Sequence, residues 1–414
     1  MNTRTIAIYT FAAIIVIVLG ALLGWYFFVR GQDQATNAAD AARGFSAPAP
    51  FGPQTGSTYE NMLSQVSGGS SSSLAPAKIL PQLWHADKAP VAGFAFTGAA
   101  SSSVLSYVER GNGYVFAGDA SQQTIARLTD TLMPKIYEAF FGTSGEVVER
   151  AIDAFGNITT FTGTVGTTTD ATGNASTTNA LSGVYLDRGI TAITVNPSTG
   201  ELFYLESAAP RVAGIRVQWD GNKEKSAFSS AIADWRVTWV PDGRIILLTS
   251  PADGVPGYAY TLQGDGSLAT LVGATPGLTV LAQPSSSALL YSQSTGNGVT
   301  LYARVSASAS VVALPVRTVT DKCVWASGKD PIVYCAVPSA PPVGNFLDDW
   351  YKGVSHTTDA WWRIDVSADK AVAIYTPAQN LSLDVKDPVI DATGSYIAFS
   401  DARDGSLWIL RINK

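Results

Sequence analysis

The residues best suited to binding chemistry are concentrated in one stretch, 345–365, which combines carboxylates, aromatic rings and a histidine. Flat aromatic rings stack on the faces of sugars or peptides, and carboxylates accept hydrogen bonds from hydroxyl groups. This combination predicts a binding site on a loop, formed by Asp348, Asp349, Trp350, Tyr351, His356, Asp359 and Trp361. The alternative interpretation is a loop that caps a larger fold, with Trp362 and Ile364 as ordinary strand residues.

The same carboxylates could act as a general acid and a general base, since glycosidic bond hydrolysis uses a pair of such groups. The rest of the sequence gives no support for catalysis, because it contains no glycine-rich phosphate loop and no Gly-x-Ser-x-Gly elbow. His356 and His85 are the only histidines, and no His/Cys metal spacing is present. We therefore predict no catalytic residue, no metal site and no cofactor.

Cys323 and Cys335 are the only cysteines, and they flank a predicted hairpin turn at 328–330. A turn at this place sets the two cysteines directly opposite each other on adjacent antiparallel strands. Non-hydrogen-bonded cross-strand pairs bring Cα atoms to about 4.5 Å, which is within the disulfide range. The spacing predicts a disulfide, and two buried free thiols are the alternative. A metal site made from this pair without other ligands is disfavoured.

Short apolar runs bounded by turn residues indicate that the surrounding elements are β-strands. Between Trp239 and Leu271 the sequence predicts a four-stranded meander that includes strands 245–249 and 258–262. Gly243 and Gly266 lie in its turns, where a residue without a Cβ adopts positive φ at little steric cost. One such sheet has two apolar faces that it cannot bury alone, so copies must stack, as the blades of a β-propeller do.

The spacing of the apolar runs predicts the number of blades. One run is assigned to the second strand of each blade, which gives Val104, Val147, Leu202, Leu247, Leu289, Ile332 and Ile397. Their mean spacing of about 49 residues is close to the ~40 to 50 residues of a propeller repeat. We predict an all-β fold with a seven-bladed β-propeller, and six or eight blades are the alternatives. Two inserts, 166–182 and 338–359, explain the long intervals and are expected to form loops.

The last predicted blade has only three strands before the chain reaches Lys414, and folded proteins avoid unpaired strand edges. The segment 78–84 precedes the first full blade and can supply the missing strand. We predict that it pairs with the last blade and closes the ring.

The repeated units share a turn, then an apolar strand ending in Ser or Cys, then a glycine-led aromatic strand. The turns include PDG at Pro241 and ATG at Ala392, and the strand ends are LLTS, LLYS, IVYC and IAFS. This pattern resembles the WD40-like repeats of TolB-type bacterial propellers over residues 78–414. The resemblance implies a binding role, usually toward protein partners, and it supplies no catalytic residues.

The N-terminal segment determines the expected compartment. Residues 6–29 contain no charge, and as a helix they would span about 36 Å, more than the ~30 Å hydrocarbon core of a bilayer. We predict a short N-terminal segment, 1–5, a transmembrane helix, 6–29, and a flexible Ala/Gly/Ser-rich linker, 30–77. A cleaved signal peptide is the alternative. The expected protein is a single-pass protein of the bacterial cell membrane, with the propeller, 78–414, outside the cytoplasm.

Composition limits the class of partner. The net charge is -6 and the sequence has no cluster of Lys and Arg, which argues against nucleic-acid binding. We predict a scaffolding module that binds a protein or a cell-envelope polymer. An envelope glycan hydrolase or lyase is the first alternative, and it requires a pair of accessible carboxyl groups. A structural subunit of a surface assembly is the second, and it requires a large exposed apolar patch.

Overall fold

The computed structural model of the protein describes residues 80–98, 101–142, 144–169, 175–186 and 189–412. The segment 1–5, the predicted transmembrane helix, 6–29, and the linker, 30–77, lie outside these residues. Within the described ranges, no helix combines the length and the apolar character needed to cross a bilayer.

The described strands form seven four-stranded antiparallel sheets, which are the seven blades of a β-propeller. Blades 1 to 3 each use four consecutive strands: β2 Val91–Phe96, β3 Val104–Glu109, β4 Val115–Asp119 and β5 Thr124–Arg127; β6 Ile136–Phe141, β7 Glu146–Ile152, β8 Ile158–Thr169 and β9 Ala175–Tyr185; β10 Ile190–Val195, β11 Glu201–Ala208, β12 Arg211–Gln218 and β13 Lys225–Ser230.

Blades 4 to 6 have the same plan. Their strands are β14 Trp235–Trp239, β15 Ile245–Thr249, β16 Pro256–Leu262 and β17 Leu268–Pro276; β18 Thr279–Ala282, β19 Leu289–Thr295, β20 Gly298–Arg304 and β21 Val312–Ala313; β22 Cys323–Trp325, β23 Ile332–Pro338, β24 Asp359–Asp365 and β25 Lys370–Tyr375. A short 3₁₀ helix, Thr320–Lys322, precedes β22, and one α-helix, α1 Phe346–Tyr351, lies between β23 and β24.

The seventh blade joins the two ends of the propeller. It contains β26 Val385–Ile390, β27 Tyr396–Asp401 and β28 Leu407–Arg411, and its fourth strand is β1 Leu83–Asp87. β1 is antiparallel to β28, with Leu83 opposite Leu410. The described ladder begins at Leu83, inside the predicted segment 78–84, while Lys78 lies outside the described residues.

Every expected second-strand residue lies on the second strand of a different blade, from Val104 on β3 to Ile397 on β27. The predicted strand 245–249 coincides with β15, and both turn glycines have positive φ, 93° at Gly243 and 84° at Gly266. The prediction of seven blades is confirmed.

The two inserts, 166–182 and 338–359, are not simply the loops that the sequence predicts. Most of 166–182 belongs to strands, because β8 and β9 extend as an unusually long hairpin on the outside of blade 2. The second insert, 338–359, contains α1, so part of it is helical.

Apolar clusters between neighbouring blades form the core. At the junction of blades 3 and 4, for example, Phe203 and Leu205 pack with Trp235, Trp239 and Leu247. The first strand of each blade lies innermost, since first strands of adjacent blades, such as β2 and β6, contact each other. Second strands such as β3 and β15 therefore bury side chains on both of their faces, which explains their nearly continuous apolar runs.

The antiparallel order gives the ring two distinct faces. The upper face carries the connections between blades, such as 314–319, and the loops between second and third strands, such as 250–255 and 339–358. The lower face carries the turns between first and second strands, such as 240–244, and those between third and fourth strands, such as 219–224. β1 runs from the lower to the upper face, so the chain enters the propeller from below.

Cys323 and Cys335 lie opposite each other on β22 and β23, as the hairpin register predicts. Their Cα atoms are 4.1 Å apart, and the sulfur atoms form a disulfide. Both residues are buried between blades 5 and 6.

Glu149 on β7 is a buried carboxyl group in the junction between blades 1 and 2. Alternate residues of a strand point to opposite faces, so Glu149 faces the same way as Val147, which packs in this apolar junction. Within the described part of the chain, neither of its side-chain oxygens has a hydrogen-bond partner. Burial raises the pKa of Glu149 to about 8. The group is therefore mainly protonated in the folded protein at neutral pH.

We expect Glu149 to make stability depend on pH. In the unfolded chain the carboxyl ionises near its ordinary pKa of 4.5, while in the folded chain it stays protonated to about pH 8. Stability is then greatest below pH 4.5 with respect to this group, and falls by at most about 1.4 kcal/mol per pH unit until about pH 8. Glu149→Gln should flatten this slope in urea unfolding at pH 5 to 8. Glu206→Gln, a change on β11, is the control, and an unchanged slope in Glu149→Gln would contradict the assignment.

Candidate functional site

Helix α1 lies on the upper face and carries four of the residues predicted to bind. Its apolar side chains recur at one-turn spacing, so Phe346, Leu347 and Trp350 are buried together. They pack against Val299 of blade 5 and Val319 of the connection to blade 6. The helix is thereby fixed as a cap on the propeller.

A fully buried lysine joins this cap to the blades below it. Lys322 donates from Nζ to the Asp359 carboxylate (2.7 Å) and to the Val385 carbonyl (3.1 Å), and it also bonds Asp384. The side chains of Lys322, Asp359 and Asp384 have no exposed surface. The ammonium lies 4.8 Å from the centre of the Trp350 ring, so it also attracts the aromatic face.

Asp384 connects blade 7 to the loop that carries α1. Its carboxylate accepts hydrogen bonds from Trp350 Nε1 and Thr357 Oγ1, each at 2.9 Å, and its Oδ2 lies 2.9 Å from His356 Nδ1. Desolvation raises the pKa of Asp384, but the Lys322 charge and these hydrogen bonds outweigh it and lower the pKa below its ordinary value. The group is an ionised anchor and is not available as a general acid.

A second charged group crosses the mouth of the central channel. Arg236 on β14 donates to the Asp321 carboxylate at 2.8 Å and to the Tyr351 hydroxyl at 2.7 Å. Tyr351 also donates to Asp321 at 2.7 Å. Arg236 belongs to blade 4 and Asp321 to the 3₁₀ helix of blade 6, so this ion pair spans the width of blade 5. It holds the end of α1 above the channel.

Asp387, on the first strand of blade 7, lies in the same mouth. Its side chain is 59% exposed, yet desolvation raises its pKa. Both properties hold for a group that contacts water but is surrounded by protein atoms, as in a narrow channel. The Arg236 side chain is 41% exposed, so a cation and a carboxyl group are both accessible at this opening.

The structure divides the predicted binding residues into two groups. Asp359 and Trp361 are buried on β24, where Trp361 packs 5.4 Å from Phe399, centre to centre. Trp350 is buried as well. Trp350 and Asp359 belong to the contacts that hold the cap, while Trp361 packs in the core between blades 6 and 7. All three are buried, so a ligand on the surface of the folded protein cannot contact them.

The remaining predicted residues lie at the surface of the cap. Tyr351 and His356 are exposed, and Asp348 and Asp349 are half-buried. Asp348 Oδ1 accepts a hydrogen bond from Asp253 N at 3.0 Å, which connects α1 to blade 4. Trp362 and Ile364 are strand residues of β24, as the capping interpretation predicts.

Sequence reasoning missed Lys322, Asp384, Arg236 and Asp321, which organise this site. Arg236 stands between Trp235 and Val237, and Asp384 between Leu383 and Val385, each at or just before the start of an inner strand. A charged residue in such an apolar setting was an available signal. Among the described residues, no group of three or more His, Cys, Asp or Glu side chains has the arrangement of a metal site.

No protein-family model and no curated protein sequence matches this chain. Solved structures of similar shape include oligogalacturonate lyase from Vibrio parahaemolyticus, with 11% identity and a TM-score of 0.49 over 76% of this chain and 87% of the lyase. TolB from Acinetobacter baumannii has 9% identity and a TM-score of 0.39, over 73% of this chain and 60% of TolB. A chain of the mitotic checkpoint complex has 10% identity and a TM-score of 0.47, over 84% and 99% of the two chains.

The propeller fold that the likeness to TolB-type and WD40-like repeats implies is confirmed by the seven four-stranded sheets of this chain. Identities this low carry no residue role from one protein to another. The function must therefore be argued from the chain's own residues.

We expect Lys322 to be essential to the cap. Lys322→Met leaves two buried carboxylates without a counter-charge, and removal of one partner from a buried ion pair typically costs about 3 to 5 kcal/mol. Urea unfolding followed by tryptophan fluorescence measures this loss. In the triple variant Lys322→Met, Asp359→Asn, Asp384→Asn, which removes the uncompensated charges, part of the stability should return.

The matched control is Lys386→Met, because this lysine is 47% exposed and lies 3.8 Å from an exposed carboxylate. Its replacement should change stability by no more than about 0.5 kcal/mol. A cost below about 1 kcal/mol for Lys322→Met would show that the buried ion pairs do not hold the cap.

Proposed function

We propose that this protein is a membrane-anchored, extracytoplasmic binding or scaffolding module, which engages a protein or a cell-envelope polymer through its upper face. The observation that carries the proposal is the fixed cap. Helix α1 and its loop are bonded to blades 4, 6 and 7. A surface held in this way loses little conformational entropy on binding, which favours affinity.

The cap presents apolar and acidic groups beside the channel mouth. Val343 and Val354 are 70% and 73% exposed, and Tyr351 is 37% exposed. Arg236 and Asp387 lie in the adjoining opening. An aromatic ring and apolar side chains surrounded by charged groups are typical of the centre and rim of a protein-binding surface.

The alternative of a glycan hydrolase or lyase requires accessible carboxyl groups around a pocket. Asp359 and Asp384 lie close together, since both bond Lys322 Nζ, but neither has exposed surface. Nothing in this pair favours acid and base catalysis over the role of a structural ion pair.

One observation favours the second alternative, a structural subunit of a surface assembly. The hairpin tip between β7 and β8 exposes three apolar side chains on the upper face: Ile152 at 44%, Phe155 at 90% and Ile158 at 38%. Ile152 and Ile158 are cross-strand partners, so the three side chains occupy one hairpin end. An exposed apolar group of this kind suits a protein contact, and it extends the upper face to blade 2.

We expect the cap surface to determine partner capture. The full-length chain, solubilised from membranes in mild detergent, is used to capture envelope components, beside Val343→Lys, Val354→Lys and the double variant. A lysine at the centre of an interface must be desolvated, so each change should reduce the amount of a specific partner about tenfold or more, measured by quantitative mass spectrometry.

The matched controls place the same substitution on exposed valines elsewhere, at Val305 (39% exposed) and Val372 (46% exposed). Capture should be unchanged in these variants. A partner that is retained equally by all the variants does not bind the cap, and the proposal that the cap is the binding surface would then be wrong. These positions avoid Trp350 and Asp348, whose replacement would release α1 itself.

We expect residues 6–29 to anchor the protein. Deletion of this segment should move the chain from the alkali-resistant membrane fraction to the soluble fraction, because the segment is the apolar stretch long enough to span a bilayer. Added protease should digest the propeller of the full-length chain in intact spheroplasts if it lies outside the cytoplasm. A soluble full-length chain would contradict the anchor. Full protection of the propeller in intact spheroplasts would contradict the compartment.

A further inference from the structure

A cavity of 390 Å³ opens on the lower face of the propeller, and α1 lies on the upper face. Two turns of blade 3 form it: the turn between β10 and β11 and the turn between β12 and β13. Its walls are Thr199, Gly200, Glu201, Gln218, Trp219 and Asp220. The volume is within the range of roughly 300 to 1,000 Å³ that small-ligand sites occupy.

The indole of Trp219 is held in place by the backbone of two glycines, which lies close to the ring. A Cβ on Gly142 of blade 2 would lie 2.9 Å from Trp219 Cζ2, and one on Gly200 would lie 2.7 Å from Trp219 Nε1. Neither position accepts a side chain without moving the ring. The Trp219 carbonyl also accepts a hydrogen bond from Thr162 of blade 2 at 2.9 Å. The ring is therefore fixed at the junction of two blades.

Both turns are closed by their own backbone, so the cavity is preformed. In one turn Asn196 N donates to the Glu201 carbonyl at 2.7 Å, and in the other Gln218 N donates to the Asn222 carbonyl at 3.0 Å. β11 and β12 place Glu201 directly opposite Gln218. A carboxylate, an amide and the adjacent indole thus project from fixed neighbouring positions.

The polar groups of the cavity are mainly acceptors. Hydrogen bonds from Asn222 lower the pKa of Asp220 below its ordinary value, so it is ionised at neutral pH. The Glu201 side chain is half-buried and forms no hydrogen bond or ion pair with any described residue. The lining contains no Lys and no Arg. Lys223 of the same turn is close enough to help lower the pKa of Asp220, and the Glu146 carboxylate lies near Gly200. Carboxylates therefore outnumber cations around the cavity, which disfavours an acidic ligand.

We propose that this cavity is a binding site for a neutral saccharide. The indole supplies a flat apolar surface for the face of a pyranose ring, and the carboxylates and the amide accept hydrogen bonds from its hydroxyl groups. The same acceptors exclude uronic acids and other acidic sugars. This site is separate from the cap, and it does not depend on the role proposed for the upper face.

The experiment measures binding to the full-length chain in mild detergent by isothermal titration calorimetry. The probes are the neutral tetrasaccharides of glucose and of N-acetylglucosamine, the acidic tetrasaccharide of galacturonate, and tetralysine as a cation. We expect at least one neutral tetrasaccharide to bind and the acidic one not to bind. Glu201→Gln and Trp219→Phe should each weaken that binding about tenfold, the effect of losing one charge-assisted hydrogen bond or a stacking surface.

The matched control is Glu206→Gln, which makes the same change at the other end of β11 and should leave binding unchanged. Glu201→Gln alters a side chain without a structural partner among the described residues, so it remains informative if Trp219→Phe fails to fold. The proposal is overturned if neither neutral tetrasaccharide binds, if tetralysine or the galacturonate binds more tightly, or if Glu201→Gln leaves saccharide affinity unchanged.

Discussion

The antiparallel pairing of β1 with β28 is the constraint on which the rest of the propeller depends. It completes the blade that contains the last three strands, and it places Ala86 with Leu105 and Phe116 in the junction of blades 7 and 1. Without β1, β28 would be an exposed edge strand, and that junction would lose the apolar contacts that β1 supplies. The contact joins positions more than 300 residues apart, so the entropy of closing the ring must be recovered by all the junctions together.

Hydrogen bonds between the lower turns link the blades at five junctions, while the ion pairs that hold the cap lie at the upper face on one side of the ring. The lower turns are linked in sequence from blade 3 round to blade 1 by Ser198 to Pro241, Arg244 to Gln283, Gln283 to Asp330, Ser327 to Asp391, and Ser103 to Asp391. On the upper face, Lys322 and Arg236 instead connect non-neighbouring parts of blades 4, 6 and 7 through α1. The cap is therefore a fixed connection across half of the channel mouth, and the backbone that carries its exposed side chains is fixed with it.

Features that depend on short-range periodicity could be predicted from the sequence. The positions of the second strands, the turn at Gly243 and the register of Cys323 with Cys335 each depend on alternation and turn chemistry within one hairpin. The charged groups that meet could not be predicted, because Lys322 and Asp384 are brought together by the packing of two blades and not by spacing. The 166–182 insert was misjudged for a related reason: its threonine-rich composition suits a loop as well as a strand, and continued pairing of β8 with β9 decided the outcome.

The thickness of the ring separates the two surfaces energetically. First strands of three to six residues, at about 3.3 Å per residue, place the faces roughly 10 to 20 Å apart. This distance is at or beyond the ~7 to 10 Å over which substitutions usually couple. Closed turns and a packed core give neither face an obvious second arrangement through which to influence the other. A ligand in the Trp219 cavity and a partner on the cap would then bind independently. Such a molecule would act as a connector, whose total affinity for a surface displaying both ligands comes from their simultaneous engagement and not from communication between them.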